Sequence, residues 1–211
     1  KIPKNRFWEN KKVLITGHTG FKGSWLSLWL LQMGCDVIGI GLEPENEKNL
    51  FYLLNLKDQI KHNICDIRNK KTFGEIIKRY KPDIIFHLAA QTQVIDGLKD
   101  PLKTLQSNVQ GTWNILELSR LNNIPVVSAS SDKAYGTYPL SQLPYKETYD
   151  LRPIFPYDVS KACGDMISKS YSSDLFNLPI IITRFANIYG PGQLNFTALV
   201  PDFILEIEKY R

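Results

Sequence analysis

Tyr157 and Lys161 stand four residues apart in "PYDVSKA", a spacing that puts a phenol and an ammonium on one face of a helix. A cation beside a phenol favours the phenolate, which makes the tyrosine usable as a base near neutral pH. Tyr157 is the only one of 10 tyrosines with lysine at that position, although such pairs also arise by chance on lysine-rich helices. Upstream, "SASSDKAYG" sets Ser131, Asp132 and Lys133 at the end of a short strand-like run. Ser131 there can hydrogen-bond a substrate hydroxyl while Tyr157 removes its proton. The alternative is that Asp132 and Lys133 only make a solvated turn.

A second constellation lies near the start, where "VLITGHTGFKGSWLSLWLL" spaces Gly17, Gly20 and Gly23 three residues apart. A glycine turn between a strand and a helix lets the backbone approach a pyrophosphate, and the helix N-terminus adds free N–H groups and partial positive charge. The spacing is a variant of the usual dinucleotide motif, so its context of strand before and apolar helix after carries the assignment. The acid expected at the end of the second strand is absent: "GIGLEPE" offers Gly41 and Leu42 there, with Glu43 late. No arginine stands near Leu42 to take a 2′-phosphate, so the expected cofactor is NAD. Asp66 in "CDIR" either accepts from an adenine amino group or caps the next helix.

The elements that must position these groups alternate. Apolar runs at Lys12 to Thr16, Asp36 to Gly41, Ile60 to Ile64, Asp83 to Ala90, Ile124 to Ser130 and Pro179 to Ala186 read as strands. Helical patterns fall at Phe21 to Met33, Lys70 to Tyr80, Pro101 to Leu121 and Tyr157 to Leu175, with a last one running through Ile207. The first is apolar almost all round, which predicts burial on several sides. Asp100 and Pro101 supply a cap and a first residue for the third. Continuous apolar strands alternating with helices predict an α/β, doubly wound parallel sheet. Residues 136–156 carry four prolines without periodicity and form a long loop at a strand end.

Composition narrows the partners. With 211 residues, 43% of them hydrophobic, the chain can bury one sizeable core. Its net charge of +5 comes from lysines spread along the chain, which argues against nucleic acid. The 3 cysteines form no close pair and the 3 histidines no ligand spacing, so neither a disulfide framework nor a metal is expected, in keeping with a cytoplasmic protein. The apolar stretch Trp25 to Met33 is too short for a bilayer, and no secretory signal precedes it.

"TGHTGFKGSWLSLWL", "FHLAAQ", "SNVQGT", "SSDKAYG", "YDVSK" and "RFANIYGPG" occur in an order that resembles the extended short-chain dehydrogenase/reductase enzymes acting on nucleotide sugars. The opening segment with "SDK" is similar to the 4,6-dehydratases, the CDP-glucose type in particular. The resemblance implies a Rossmann-type domain over 1–187, with 188–211 beginning a smaller substrate domain that in the family continues well beyond this chain. It implies NAD held by Gly17, Thr19, Gly20, Phe21, Lys22, Gly23, Asp66, Ile67, Leu88, Ala89, Ala90, Tyr157 and Lys161. Gln91 and Asn187 would meet a nucleotide sugar. Ser131, Asp132, Lys133, Tyr157 and Lys161 would do the chemistry, Asp132 as the acid that protonates a departing hydroxyl. Many relatives have a second carboxylate where Lys133 stands, and a lysine serves as base there only if desolvation or nearby positive charge keeps it neutral. Epimerases, which usually carry small or neutral residues after the serine, and a silent dinucleotide sensor are the rivals. Homo-oligomers built from Pro101–Leu121 and Tyr157–Leu175 are a further implication.

Overall fold

Alternation along the strands sorts apolar side chains onto the two faces of one sheet. In β1 (Lys12–Thr16), Val13 and Ile15 join one layer and Leu14 the other, and all three are fully buried. The computed structural model describes residues 6–209. The chain then runs through α1 (Phe21–Gln32), β2 (Asp36–Gly41), α2 (Leu50–Leu53), β3 (Lys61–Ile64), α3 (Lys70–Tyr80), β4 (Ile84–His87), α4 (Val94–Lys99) and α5 (Pro101–Leu105). A π-helical turn at Gln106–Gln110 leads into α6 (Gly111–Asn122), followed by β5 (Val126–Ser131), α7 (Pro156–Ser172), β6 (Ile180–Phe185) and α8 (Leu199–Lys209).

All six strands are parallel, in the order β3-β2-β1-β4-β5-β6. Consecutive β3, β2 and β1 progress to one side and β4 to β6 to the other, so the connection reverses between β1 and β4. In such sheets the crevice outside the carboxyl ends at that reversal receives ligands. The larger core layer joins Leu14, Ile38, Ile40 and Ile85 to Phe73 and Ile77 of α3 and Ile115 and Leu116 of α6. The smaller packs Val13, Ile15 and Val37 against Leu30 of α1.

Several expected elements change. The long helix of residues 101–121 is interrupted by the π turn, and α2 and α4 are additional short helices. Asp100 does cap α5, accepting the Lys103 N–H at 2.9 Å, with Pro101 first in the helix. The strand expected over 83–90 stops at His87, freeing residues 88–90. Helix α1 is buried on one side only: Gly23, Ser24, Ser27 and Leu30 meet the protein interior while Trp29 stays 54% exposed. Small residues let its backbone approach the sheet, and the tryptophans instead line an apolar groove with Phe86, Val127 and Phe185.

The loop after β5 is ordered by its aromatic residues. Tyr135 stacks on Tyr145 and Tyr138 on Tyr149, while the Tyr138 and Tyr145 hydroxyls donate to the Asp150 and Gly136 carbonyls. No helix among the described residues is long and apolar enough to cross a membrane. Among them there is also no cluster of three metal-ligating side chains.

Candidate active site

The turn after β1 is built for close backbone approach. Gly17 adopts φ +76°, and a Cβ there would lie 2.8 Å from the Ala89 nitrogen. A Cβ on Gly23 would come within 2.1 Å of the Gly17 carbonyl oxygen. Both positions exclude any side chain, which packs the start of α1 onto the turn and leaves its N-terminus facing the crevice.

A cavity of about 1070 Å³ opens there along the carboxyl ends of the strands. Its walls bring together Gly17, Thr19, Gly20, Phe21, Lys22 and Gly23 from the turn, Asp66 and Ile67 after β3, and Leu88, Ala89, Ala90 and Gln91 after β4. Ser131, Lys133, Tyr157, Lys161 and Asn187 line the same cavity. Asp132 does not. Its carboxylate sits beside the cavity, accepting the Ser131 hydroxyl at 3.2 Å.

The electrostatics differ from the sequence expectation at Tyr157. Burial raises its phenol above the ordinary value, the Ser131 hydrogen bond works in the opposite direction, and Asp158 and Asp132 add to the rise. Lys161, half-buried on the cavity wall, donates to the Ala129 carbonyl, and desolvation, then the charge of Lys22, lowers it to about 8. The lysine therefore does not depress the phenol here, because burial acts on both groups. Lys133 is exposed on the cavity wall.

Beneath the cavity a polar chain fixes the helix that carries Tyr157. The Leu88 and Ala89 N–H groups both reach Thr16 Oγ1 at 3.2 Å, so that hydroxyl donates to His87 Nδ1 at 2.8 Å. His87 Nε2 then donates to Thr112 Oγ1 at 3.0 Å, which donates to the Asn108 carbonyl at 2.6 Å. Burial and then Lys161 lower His87 to about 3, so it stays neutral. The Asn108 side chain binds both the N–H and the carbonyl of Gln91, and donates to Ser160 on α7. Asn108 and Thr112 thus find the partners their burial demands. Arg184 makes a buried pair with Asp165, at 2.7 and 3.0 Å, and donates to the Tyr135 hydroxyl.

Asp66 does not cap the following helix; that cap is Asn69. Asp66 instead accepts from the Arg68 backbone and guanidinium, which holds its carboxyl below the ordinary value. Arg68 also lines the cavity, as do Lys103 of α5 and residues 192–195 and 197–201. Sequence reasoning passed over these. The "CDIR" spacing carried a signal for Arg68, whereas nothing local pointed to Lys103.

Residues 14–211 match the family described as GDP-mannose 4,6 dehydratase. The CDP-glucose 4,6-dehydratase of Salmonella typhimurium is 36% identical over 98% of this chain and 60% of its own length. Among solved structures, the dTDP-glucose 4,6-dehydratase of Bacillus anthracis in complex with NAD superposes with TM-score 0.81, at 28% identity, over 95% of this chain and 62% of that one. The UDP-glucose 4-epimerase of Thermotoga maritima with UDP-glucose gives TM-score 0.78 and 27% identity over 86% and 57%. The chain thus spans about 60% of the length of these two dehydratases.

Proposed function

Because this chain belongs to the extended short-chain dehydrogenase/reductase family, in the group described as GDP-mannose 4,6 dehydratase, we propose that it is an NAD-dependent nucleotide-sugar 4,6-dehydratase. Its substrate on this reading is CDP-glucose and its product CDP-4-keto-6-deoxyglucose. The observation that carries the proposal is that Ser131, Tyr157 and Lys161 share one cavity wall system with the glycine turn. The side-chain-free cradle at Gly17 and Gly23 fits a dinucleotide pyrophosphate.

Bound NAD would supply the oxidant at sugar C4 and return the hydride at C6. Tyr157 takes the proton of the 4-hydroxyl while Ser131 hydrogen-bonds its oxygen. The resulting ketone acidifies the C5 hydrogen, and Lys133, which lines the cavity, is the candidate C5 base. Asp132 gives a proton to the departing 6-hydroxyl, which leaves as water. Gln91 and Asn187 hold the nucleotide sugar. Residues 188–211 begin the substrate-binding part, and its first residues already line the cavity. Helices α5, α6 and α7 expose Leu102, Trp113 and Met166, which supports a homo-oligomer formed through them.

Proton NMR with NAD and each of CDP-, dTDP-, GDP- and UDP-glucose tests the reaction. A new 6-methyl doublet beside a 4-keto carbon establishes it and names the nucleotide. One observation favours a C4 epimerase instead: Asp132, which an epimerase does not need, stands outside the cavity lining. Inversion at C4 as the only change selects that reading. Tight NAD binding with no sugar altered selects a sensor.

A further inference from the structure

Arg184, the penultimate residue of β6, pairs in register with Ser130 of β5, and its side chain is 12% exposed. It ties three separate segments together. On α7, its Nε and Nη2 donate to the two carboxylate oxygens of Asp165, whose side chain is fully buried. On the turn after β5, Nη1 donates to the Tyr135 hydroxyl at 2.8 Å, and the guanidinium lies 4.8 Å from the centre of the Tyr135 ring. In the loop beyond, Nη1 also donates to the Glu147 carbonyl at 3.1 Å.

Stability alone does not account for such a group. A buried ion pair gains little over apolar residues of the same size, because desolvation offsets its attraction. What a guanidinium adds is geometry, several donors fixed in one rigid plane. Here that plane reaches the short helical turn Asp132–Tyr135, in which Ala134 and Tyr135 are buried while Lys133 is exposed on the cavity wall and Asp132 accepts the Ser131 hydroxyl. The turn is closed at its exit as well. The Gly136 N–H donates to the Lys133 carbonyl at 3.1 Å, and a Cβ on Gly136 would come within 1.9 Å of the Arg152 carbonyl oxygen. Asp165, the other end of the clamp, stands one helical turn beyond Lys161 on the helix that carries Tyr157.

We propose that Arg184 is a positioning residue that sets the spacing between Tyr157, which acts at sugar C4, and the Asp132–Lys133 turn, which acts at C5 and C6. The inference rests on the dehydratase reading above. Through Asp165 the guanidinium holds α7, and through Tyr135 it holds the turn. Loosening either contact lets groups drift apart that must address one sugar ring, and a misplacement of about 1 Å costs up to about a hundredfold in rate. The loss falls on elimination rather than on oxidation, because Ser131 and Tyr157 keep their own supports in β5 and α7.

Two variants separate the clamp from the ion pair. Tyr135→Phe keeps the ring and the Asp165 pair and removes one charge-assisted bond, whereas Arg184→Lys keeps a cation beside Asp165 but has no planar fork to reach Tyr135 as well. Amide hydrogen exchange at the Gly136 N–H reads the turn directly. It should quicken by about tenfold or more in both variants, with the β5 and β6 amides unchanged. In single turnovers with NAD and CDP-glucose both variants should accumulate reduced dinucleotide, with kcat down about tenfold and KM within about twofold. Unchanged Gly136 exchange in the folded variants overturns the proposal. So does an Arg184→Lys protein that matches the unaltered one in exchange and turnover, since the ion pair alone would then suffice. Oxidation and elimination slowed to the same extent in Tyr135→Phe overturn it too. If the unaltered protein converts no sugar, the dehydratase reading falls instead, and Gly136 exchange still decides whether Arg184 anchors the turn.

Discussion

Asn108 donates its side-chain amide to Ser160 Oγ across 2.8 Å, joining the π turn to the helix that carries Tyr157. The same side chain closes two bonds with the Gln91 backbone, so one buried amide sets both a cavity wall and the position of α7.

Replacing Asn108 by alanine leaves the Gln91 N–H and carbonyl without their partner. The expected loss is about 1–3 kcal/mol, the desolvation cost of stranded polar groups. Urea unfolding measures it, and an unchanged midpoint would show that water or a local shift satisfies those groups.

Tyr157→Phe should lower turnover by about 10²–10⁴-fold, the usual contribution of a positioned base, with dinucleotide affinity altered little. Asp132→Asn separates the two enzyme readings. In a dehydratase it suppresses release of water while oxidation at C4 persists in single-turnover absorbance; in an epimerase it changes neither.

The buried histidines predict acid sensitivity. His18 is lowered from 6.5 to about 4, chiefly by burial, and His87 to about 3. Below 6.5 the unfolded chain takes up a proton at each that the folded protein refuses, so stability falls as pH drops. Each histidine contributes about 1.4 kcal/mol per pH unit until its folded value is reached. Urea midpoints measured from about pH 7 down to about pH 4.5 should show that trend, made shallower in a His87→Gln protein.

Asp158 has the opposite sign. It is buried, its Oδ1 has no hydrogen-bond partner, and desolvation raises its carboxyl above 3.8 despite the nearby Lys133. The folded state holds this proton more tightly, so its contribution is present at low pH and lost as pH rises through the raised value. Asp158→Asn should therefore raise the melting temperature near neutrality by about 2–4 °C and lose that advantage in acid. A lower melting temperature at neutral pH would mean that the ionised carboxylate stabilises the start of α7.

Much of this architecture was legible in the residue pattern. The apolar runs around Val13–Ile15 and Val37–Ile40 declared buried parallel strands, and Asp100–Pro101 declared a helix start, because those signals are local. The π turn was not legible, since an extra residue in one helical turn leaves the surrounding apolar pattern intact. Tyr157 and Lys161 were found by their spacing, yet the direction of the phenol's shift was misjudged. Spacing gives proximity, whereas desolvation depends on what the rest of the chain packs around both groups. Arg68 was passed over because its pairing with Asp66 and its place on the cavity wall both depend on the turn after β3.

The π turn at Gln106–Gln110 works as a phase shifter. One residue added to a helix rotates everything after it by about 100°, a consequence of 3.6 residues per turn. Here that rotation brings Thr112 under His87 and Asn114 onto the Ile67 and Arg68 carbonyls, while Asn108 still reaches Gln91 and Ser160. Both ends of the cavity are thus tuned by the length of a five-residue segment more than by its composition. Apart from Asn108, such a segment tolerates exchanges of one side chain for another, but a single deletion would turn α6 out of register with the turn after β3 and with His87 at once.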